Sequence, residues 1–352
     1  MKLMVKRLAT RLAYQKALHS HSAKSPKDGD ISRWLTIAKS LVKLQRLILS
    51  FCTALVFSLP AWATAGGGIA VVYPDIGEPY RGIFEKIIEG IEMKAADRIA
   101  NHPLAPDTNI GALKDSLLRE NTKVVIALGR QGMKAATALN NNFGVVVGGV
   151  LSVPESEARG QPVISLSPDP ALLFALMKAL KPATKRVFVV YDPALNDWMI
   201  NFAKEAAGTQ ELELVAYEAK DLRSAVRYYQ EIFSAADGRS DVLWLPQDYT
   251  TVEESTVLPM VLQESWNRDI AVFSSNSAHV RRGVLFSLYP DNLGLGKSLA
   301  ELAQGFLRSG EFKRSGMMPL HDVQSAVNLR TAKHLRLKPA RLKDFDTIFP
   351  EQ

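Results

Sequence analysis

Residues 172–193 read LLFALMKALKPATKRVFVVYDP. Here a stretch of helical period, residues 170–180, leads into a nearly unbroken apolar run, RVFVVY (186–191). Short apolar runs rich in β-branched residues are typical of strands that are buried on both faces of a parallel sheet. This stretch therefore predicts a helix followed by a buried strand of an α/β fold.

The same alternation continues along the chain from Gly66 onward. The further strand candidates are IAVVY (69–73), VVIAL (124–128), VVVGGVL (145–151), LELVAYE (212–218), DVLWLP (241–246) and IAVFSS (270–275). The further helix candidates are residues 79–97, 111–119, 130–141, 196–208, 221–236, 252–267 and 293–309. Threonine and glutamate have capping-box spacing at 250–253 and 251–254, which predicts that one of these helices starts there. Alternating strands and helices predict parallel sheets with helices on both faces.

Two segments that each follow an extended apolar run nearly repeat each other. They are SLSPD (165–169) and SLYPD (287–291), and both lead into a helix candidate. We expect two strands that cross side by side between two similar lobes. The predicted first lobe comprises residues 66–163 and 288–319, and the predicted second lobe comprises residues 164–287 and 320–352.

The basic residues are unevenly distributed. The formal net charge is +7, but residues 1–65 hold 11 of the 43 Lys and Arg residues and 2 of the 36 Asp and Glu residues. The rest of the chain has 32 basic and 34 acidic residues, so a nucleic-acid-binding domain is not indicated. The only cysteine, Cys52, also lies in the N-terminal part, which excludes disulfides, thiol catalysis and Cys-ligated metal centres from the body.

Residues 47–63, LILSFCTALVFSLPAWA, form an uncharged apolar run that follows basic residues and ends in small residues. This pattern predicts a signal peptide at residues 46–65, with cleavage after Ala63 or Ala65 and a periplasmic, extracytoplasmic mature protein. An uncleaved helix that anchors the protein to the membrane is the alternative. Residues 1–45 are interpreted as a disordered or mis-assigned N-terminal extension.

Several segments match, in order, a known family. The most specific are KALKPATKRVFVVYDP (178–193), LPQD (245–248), GVLFSLYPDNLG (283–294) and VNLRTAKHLRL (327–337). With the intervening strands they resemble, over residues 68–339, the ABC-transporter substrate-binding family, whose characterised members include tryptophan-binding proteins. The resemblance implies a type I periplasmic binding-protein fold. In that fold, two doubly wound, parallel-sheet α/β lobes are joined by a three-segment hinge and close over a small solute.

The resemblance also implies a function. The resemblance predicts an extracytoplasmic solute-binding component of an ABC importer. This component binds a small solute, for example an amino-acid-like one, in the interlobe cleft. The implied partners are an ABC permease and its ATPase, and contact with the membrane is expected only through the leader or the permease. No cofactor and no metal is expected. A ligand-sensing or adaptor module of the same fold, acting on a membrane receptor, is the alternative.

Three departures from the family lie near the expected cleft. Gly129-Arg130 and Ile164-Ser165 stand where members commonly have a threonine and a Thr-Gly pair. The stretch RIANHPLAPDT (98–108) is short and shows no clear second strand. The identity of the solute is therefore not inherited from the family.

In parallel α/β sheets, ligands bind beyond the carboxyl ends of the strands. For a zwitterionic solute, we expect Arg130 to pair the carboxylate and Asp248 or Asp75 to pair the ammonium. The alternatives are that Arg130 is a solvated surface residue, that Asp248 caps a helix, and that tyrosine rings hold an apolar or neutral solute. The full set of candidate ligand-binding residues is Asp75, Gly77, Tyr80, Gly129, Arg130, Ser152, Tyr191, Asp192, Asn196, Asp248, Tyr249, Ser275 and Asn276.

The sequence contains no convincing enzyme motif. Gly294–Ser298, GLGKS, resembles the end of a phosphate loop, but Asp291 stands where that loop needs a glycine. There is no H-E-x-x-H and no G-x-S-x-G pattern, and the four histidines after residue 66 are far apart. We therefore expect a binding protein and not an enzyme.

Overall fold

The computed structural model describes residues 68–95, 99–139, 142–158, 160–338 and 342–350. The predicted N-terminal extension and signal peptide lie outside these residues. The strands are β1 Ile69–Pro74, β2 Ala100–Leu104, β3 Val124–Leu128, β4 Gly144–Val150, β5 Pro162–Pro168, β6 Arg186–Tyr191, β7 Glu213–Glu218, β8 Asp241–Leu245, β9 Ala271–Ser274, β10 Phe286–Pro290, β11 Gly316–Leu320, β12 Val323–Asn328 and β13 Thr347–Phe349. The helices are α1 Tyr80–Lys94, α2 Ile110–Arg119, α3 Gly129–Leu139, α4 Glu155–Ala158, α5 Pro170–Leu180, α6 Pro193–Thr209, α7 Leu222–Ala235, α8 Val257–Asn267, α9 Ala278–Arg282, α10 Asn292–Ser309 and α11 Leu329–His334. Within the described ranges, no helix combines the length and the apolar character needed to span a membrane.

The first sheet contains six strands in the order β11-β5-β4-β3-β1-β2, and all neighbouring strands run parallel. Alternate residues of β1 enter different hydrophobic clusters: Ala70 and Val72 pack in one, and Ile69 and Val71 pack in the other. Successive side chains of a strand point to opposite faces of its sheet, so both faces of this sheet are buried under helices.

The second sheet contains seven strands in the order β13-β12-β10-β9-β8-β6-β7. The pair β10–β12 is antiparallel, and the other neighbouring pairs are parallel. In β6, Val187 and Val189 pack in one cluster, and Phe188 and Val190 pack in another. The predicted fold class is therefore confirmed, with one antiparallel pair that the pattern of apolar runs did not indicate.

Three segments connect the two sheets and form the hinge. The chain passes from β5 to β6 through α5, from β10 to β11 through α10, and from β11 to β12 within residues 320–323. The N–H groups of Asp169 and Asp291 donate to the carbonyl oxygens of Leu320 and Asp322, at 2.9 and 3.0 Å. The two nearly repeated segments are thus both bonded to the third crossing. The lobe boundaries given above stay a prediction.

Helices α1 and α10 of the first lobe cross at two buried glycines. A methyl group at Gly90 would overlap with the carbonyl oxygen of Leu293, and one at Gly296 would overlap with that of Ile87. The two helix backbones are therefore in contact, and a larger residue at either position would push them apart.

A strand that the sequence pattern did not reveal lies within residues 98–108. Strand β2 pairs in parallel with β1 at the edge of the first sheet. Asn101 and Pro103 of this strand are exposed, so it lacks the continuous apolar run by which the other strands were recognised. Proline is tolerated at a sheet edge, where one side of the strand needs no partner. The expectation of no second strand here is wrong.

Helix α8 begins later than the capping-box spacing predicts, at Val257. The N–H groups of Thr250 and Thr251 both donate to Asp248 Oδ1, at 2.9 Å, so these threonines belong to a turn that Asp248 closes. The carboxylate of Glu253 accepts two further backbone N–H groups just before the helix. The capping-box prediction is therefore wrong, because carboxylates and not threonine hydroxyls accept these N–H groups.

Candidate functional site

A cavity of about 470 Å³ lies where the carboxyl ends of strands from both sheets meet. Leu151, which follows β4, contributes to it from the first lobe. The second lobe contributes the segments that follow β8 and β9: Pro246, Gln247, Asp248, Tyr249, Val252, Glu253, Glu254, Asn276 and His279. The cavity is therefore an interlobe cleft at the sheet edge where α/β proteins bind ligands.

Asp248 anchors the second-lobe wall of this cleft and is only 5% exposed. Its Oδ1 accepts the N–H groups of Thr250 and Thr251, and its Oδ2 accepts the N–H of Asp192 at 2.7 Å and Asn196 Nδ2 at 3.0 Å. Four donors saturate a carboxylate. The expectation that Asp248 faces water and pairs a ligand ammonium does not fit this geometry, whereas the alternative of a structural cap does.

Asp192 and Asn196 complete the link between the loops after β6 and β8. Asp192 Oδ1 accepts the N–H of Ala194 at the start of α6, and Oδ2 accepts the hydroxyl of Thr250, both at 3.0 Å. Asn196 is 4% exposed, and its Nδ2 also lies 3.4 Å from the carbonyl oxygen of Gln247. Both predicted residues lie behind the cleft wall, where they fix its shape without lining the cavity.

His279 is a buried and neutral part of the same wall. Its Nδ1 lies 2.9 Å from Ser274 Oγ, and its Nε2 lies 3.4 Å from Asn276 Nδ2. The serine hydroxyl donates to the carbonyl oxygen of Leu245, so it accepts from Nδ1–H, and Nε2 then accepts from the asparagine amide. Burial lowers the pKa of His279, which keeps the ring uncharged at neutral pH.

Two residues that line the cleft carry exposed apolar side chains, and two more lie at the same sheet edge outside the lining. Tyr249 is 77% exposed and Leu151 is 47% exposed, although both line the cavity. Tyr80 and Ile83, in the first turn of α1 beyond the carboxyl end of β1, are 60% and 37% exposed. Large exposed apolar side chains that cluster at a cleft are typical of a binding surface, and the Tyr249 ring offers a face for a planar group.

The remaining first-lobe candidates lie at the same sheet edge but outside the cavity lining. Gly129 has a φ of +68°, and a methyl group there would lie 3.1 Å from the ring of Phe84. Arg130, in the first turn of α3, is half exposed and lies 3.7 Å from the carboxylate of Glu157. Its pairing with a ligand carboxylate stays a prediction. The other candidates here are exposed or partly exposed: Asp75, Gly77 and Ser152.

Two second-lobe candidates belong to the core. Tyr191 is 3% exposed, and its hydroxyl donates to Glu218 Oε1 at 3.2 Å. Burial, together with this carboxylate, raises the pKa of Tyr191 to about 12. Ser275 is 1% exposed, and its Oγ accepts Trp244 Nε1–H at 3.1 Å. Neither residue lines the cavity.

Four polar lining residues were missed by sequence reasoning: Gln247, Glu253, Glu254 and His279. Gln247 belongs to LPQD, a segment that the family resemblance already singled out. The two glutamates fall inside a stretch of helical period, and the rule used selects only the first residues after a strand. The long β8–α8 segment brings later residues back to the cleft. Among the described residues, no group of three or more His, Cys, Asp or Glu is placed to hold a metal ion.

The two lobes, the hinge and the cleft define a bilobal α/β binding protein. A family model described as ABC transporter substrate binding protein matches residues 115–340. This match covers more than half of the chain, so the chain belongs to that family, and the predicted resemblance is confirmed. A comparison with curated proteins found no match.

Solved structures are similar to this chain, and the first of those that follow, with a TM-score above 0.5, has the same fold. The ligand-free, open structure of a substrate binding protein with adhesive properties from Clostridium difficile is 17% identical, with a TM-score of 0.53, and the match covers 79% of this chain and 98% of that one. An ABC domain in complex with L-Trp from Streptococcus pneumonia is 15% identical over 80% of this chain and 98% of that one, with a TM-score of 0.48. A conserved domain protein from Vibrio cholerae O1 biovar El Tor is 18% identical over 80% and 99% of the two chains, with a TM-score of 0.47.

Proposed function

We propose that the chain is the extracytoplasmic solute-binding component of an ABC importer and that it binds a small solute in the interlobe cleft. The cavity of about 470 Å³, lined by Leu151 of the first lobe and by loops of the second, is the observation that carries this proposal. Its volume falls in the range of small-molecule sites. A solute that contacts both walls favours closure about the hinge, and the closed state is what a permease then recognises.

A thermal-shift screen of amino acids, amines, organic acids and other small solutes tests solute binding. A solute that binds only the folded state, at a hundredfold excess over its Kd, stabilises the protein by about 2.7 kcal/mol. We expect at least one solute to raise the Tm. A broad screen in which no solute raises the Tm would contradict the proposal.

Hinge closure is tested with distance labels on the two lobes. The only native cysteine is replaced by Cys52→Ser, and labels are attached at Glu78→Cys and Lys220→Cys, which lie in exposed loops after β1 and β7. We expect the label distance to shorten when the solute found in the screen is added. The control pair, Lys185→Cys with Lys220→Cys, lies within the second lobe, and its distance should not change.

Export and transport are tested in the producing cell. We expect extracytoplasmic protein to begin near Thr64 or Gly66 and deletion of the chain to abolish uptake of the solute. Intact residues 1–45 on exported protein would overturn the predicted cleavage. Binding without any effect on uptake would favour the alternative of a sensing module.

A further inference from the structure

A second cavity, of about 720 Å³, lies in the second lobe and shares no lining residue with the cleft. Helix α8 contributes Trp266 to it, α9 contributes Arg281 and Arg282, and α11 contributes Arg330 and His334. Its volume falls in the range of small-molecule sites. The proposed function of the cleft gives this cavity no role.

One wall of the cavity comes from VNLRTAKHLRL (327–337), a segment on which the family resemblance rests. Asn328 Oδ1 accepts the N–H groups of Arg330 and Thr331 at the start of α11. The side chains of Asn328 and Thr331 donate to backbone carbonyl oxygens at the end of α9, at 2.8 and 2.7 Å. These bonds fasten α11 to α9. They account for Asn328 and Thr331 but not for Arg330, whose side chain is exposed.

The charged side chains that line this cavity are basic. They include Arg281, Arg282 and Arg330, and none of the lining residues is an Asp or a Glu. Arg282 lies 3.7 Å from the carboxylate of Glu254. The Arg281 guanidinium lies over the ring of Phe349, 5.0 Å from its centroid. Within the described residues, no ion pair joins Arg281 or Arg330 to a carboxylate, so two positive charges in one cavity lack a partner.

The carboxylates on the adjoining segments already have other partners. Glu264 of α8 lies 3.1 Å from Arg268, and Asp269, which follows α8, lies 3.0 Å from His334 Nε2. Neither carboxylate lines the cavity. The cavity therefore keeps its excess of positive charge.

Trp266 gives the same cavity a planar apolar surface. This residue is 47% exposed, and its ring stacks on that of His334, with 3.7 Å between the centroids and 10° between the planes. His334 Nε2 also lies 3.0 Å from the carbonyl oxygen of Trp266, which holds the two residues together. An exposed tryptophan beside unpaired arginines offers contacts to a ligand that has both a ring and a negative charge.

We infer that this cavity is a second ligand site and that it binds a phosphate monoester attached to a planar apolar ring. The planar forks of Arg281 and Arg330 suit phosphate oxygens. A phosphate monoester carries a charge of about −1.5 to −2 at neutral pH, which balances the two arginines that lack a partner. Trp266 contacts the ring. This inference does not depend on the proposed function of the cleft.

Three solutes with one ring system test the charge preference. At mildly alkaline pH, 1-naphthyl phosphate is a dianion, 1-naphthoate is a monoanion and 1-naphthol is neutral. In calorimetric titrations of the full chain, we expect the phosphate to bind about tenfold or more tightly than the naphthoate, and the naphthol to bind most weakly. If the phosphate does not bind, or if either comparison solute binds as tightly, the inferred ligand class is overturned.

Paired arginine variants test the site. Arg281→Gln with Arg330→Gln is expected to weaken binding of 1-naphthyl phosphate by about tenfold or more. Arg223→Gln with Arg239→Gln removes the same charge from exposed positions of the second lobe outside this cavity, and it should preserve the affinity. Arg282 is kept, because it bonds to a residue that lines the cleft.

Equal losses in the two paired variants, or no loss in either, would overturn the site. If Arg281→Gln with Arg330→Gln does not fold, Arg330→Gln alone is compared with Arg239→Gln, since both side chains are exposed.

Trp266→Leu tests the contact with the ring. We expect it to weaken binding of 1-naphthyl phosphate by about fivefold. Tyr80→Leu changes an exposed aromatic side chain of the first lobe and should preserve the affinity. Equal affinities of Trp266→Leu and the unmodified chain would overturn the role of Trp266.

Failure of this inference is distinguishable from failure of the proposed function. If Tyr249→Ala weakens binding of 1-naphthyl phosphate and the paired Arg281 and Arg330 variant does not, the probe binds in the cleft. The second site is then overturned and the cleft remains a solute site. If no other solute of the broad screen binds, but 1-naphthyl phosphate binds through Arg281 and Arg330, the second site stands and the proposed function is overturned.

Discussion

The two lobes hold their cleft-facing edges in place by different means. In the first lobe, glycines let backbone segments come into contact. A methyl group at Gly132 would lie 2.8 Å from the carbonyl oxygen of Val72, and Gly129 takes a left-handed conformation beside Phe84. In the second lobe, Asp248 and its four donors bond the loops after β6 and β8 to each other. The first lobe is therefore sensitive to added volume, and the second is sensitive to lost hydrogen bonds.

This difference has a consequence for binding. The second-lobe wall is already ordered by its own hydrogen bonds, so a solute that docks there loses little free energy to loop ordering. On the first-lobe side, Tyr80 and Leu151 are exposed. We expect the second lobe to bind the solute first and the first lobe to close over it.

The largest effect is expected from adding volume to the first lobe. In Gly296→Ala the new methyl group overlaps with the carbonyl oxygen of Ile87, so α1 and α10 must separate. We expect the free energy of unfolding to fall by about 3 kcal/mol or more, measured by urea denaturation. Gly305→Ala, on the same helix with no atom within 4 Å of its added methyl, is the control and should not destabilise the protein. Equal losses in both variants would contradict a packing origin.

Removal of the second-lobe anchor is expected to have the next largest effect. Asp248→Ala leaves four donors near the cleft without their acceptor, so we expect the free energy of unfolding to fall by roughly 2 to 3 kcal/mol. Asp75→Ala removes an exposed carboxylate at the first-lobe edge and is the control. It should change the free energy of unfolding by less than about 0.5 kcal/mol. Unchanged stability together with lost solute affinity in Asp248→Ala would restore Asp248 as a ligand partner.

Tyr249→Ala should separate affinity from stability. The ring is 77% exposed in the unliganded cleft, so its removal should leave the Tm of the free protein unchanged. Loss of its contact with the solute is expected to cost about 1 to 2 kcal/mol of binding, measured by calorimetry with the strongest solute from the screen. Leu222→Ala removes another exposed apolar side chain of the second lobe, away from the cavity lining, and should preserve the affinity.

The smallest effect concerns pH and the second-lobe wall. Burial lowers the pKa of His279 in the folded protein below its ordinary value of 6.5. Between the folded-state pKa and pH 6.5, the unfolded chain therefore binds more protons than the folded chain. The contribution of His279 to stability is therefore complete above pH 6.5 and is lost as the pH falls through the folded pKa. Urea denaturation across this range should show the loss, and His279→Gln should remove that part of the slope. His321→Gln changes an exposed side chain and is the control. This variant should retain the loss of stability at falling pH.

The interior of both sheets could be predicted from the sequence, and their edges could not. VVIAL (124–128) and RVFVVY (186–191) coincide with β3 and β6, because a strand covered on both faces must be apolar throughout. Strand β2 escaped recognition, since an edge strand keeps polar and exposed positions such as Asn101. The antiparallel pairing of β10 with β12 also has no local signal, because it depends on where the chain returns from the other lobe.

The candidate site was predicted in its location more successfully than in its roles. The carboxyl-end rule selected Asp248, Tyr249 and Asn276, and all three line the cavity. It did not reveal that Asp248 is saturated, because two of its four donors belong to Asp192 and Asn196, more than fifty residues away in the sequence. The assignment of Asp248 to a ligand ammonium was therefore drawn from its position and not from its partners.

The sequence by itself determined the alternation of strands and helices, the family and the edge of the sheets at which the cleft lies. These follow from local apolar periodicity and from the order of motifs along the chain, and neither requires knowledge of distant contacts. Only the tertiary structure decided which polar groups are free to meet a solute. Whether a carboxylate such as Asp248 or an amide such as Gln247 has a spare lone pair depends on donors that other loops supply. Hydrogen-bond saturation is set by proximity in space, which one-dimensional spacing does not encode.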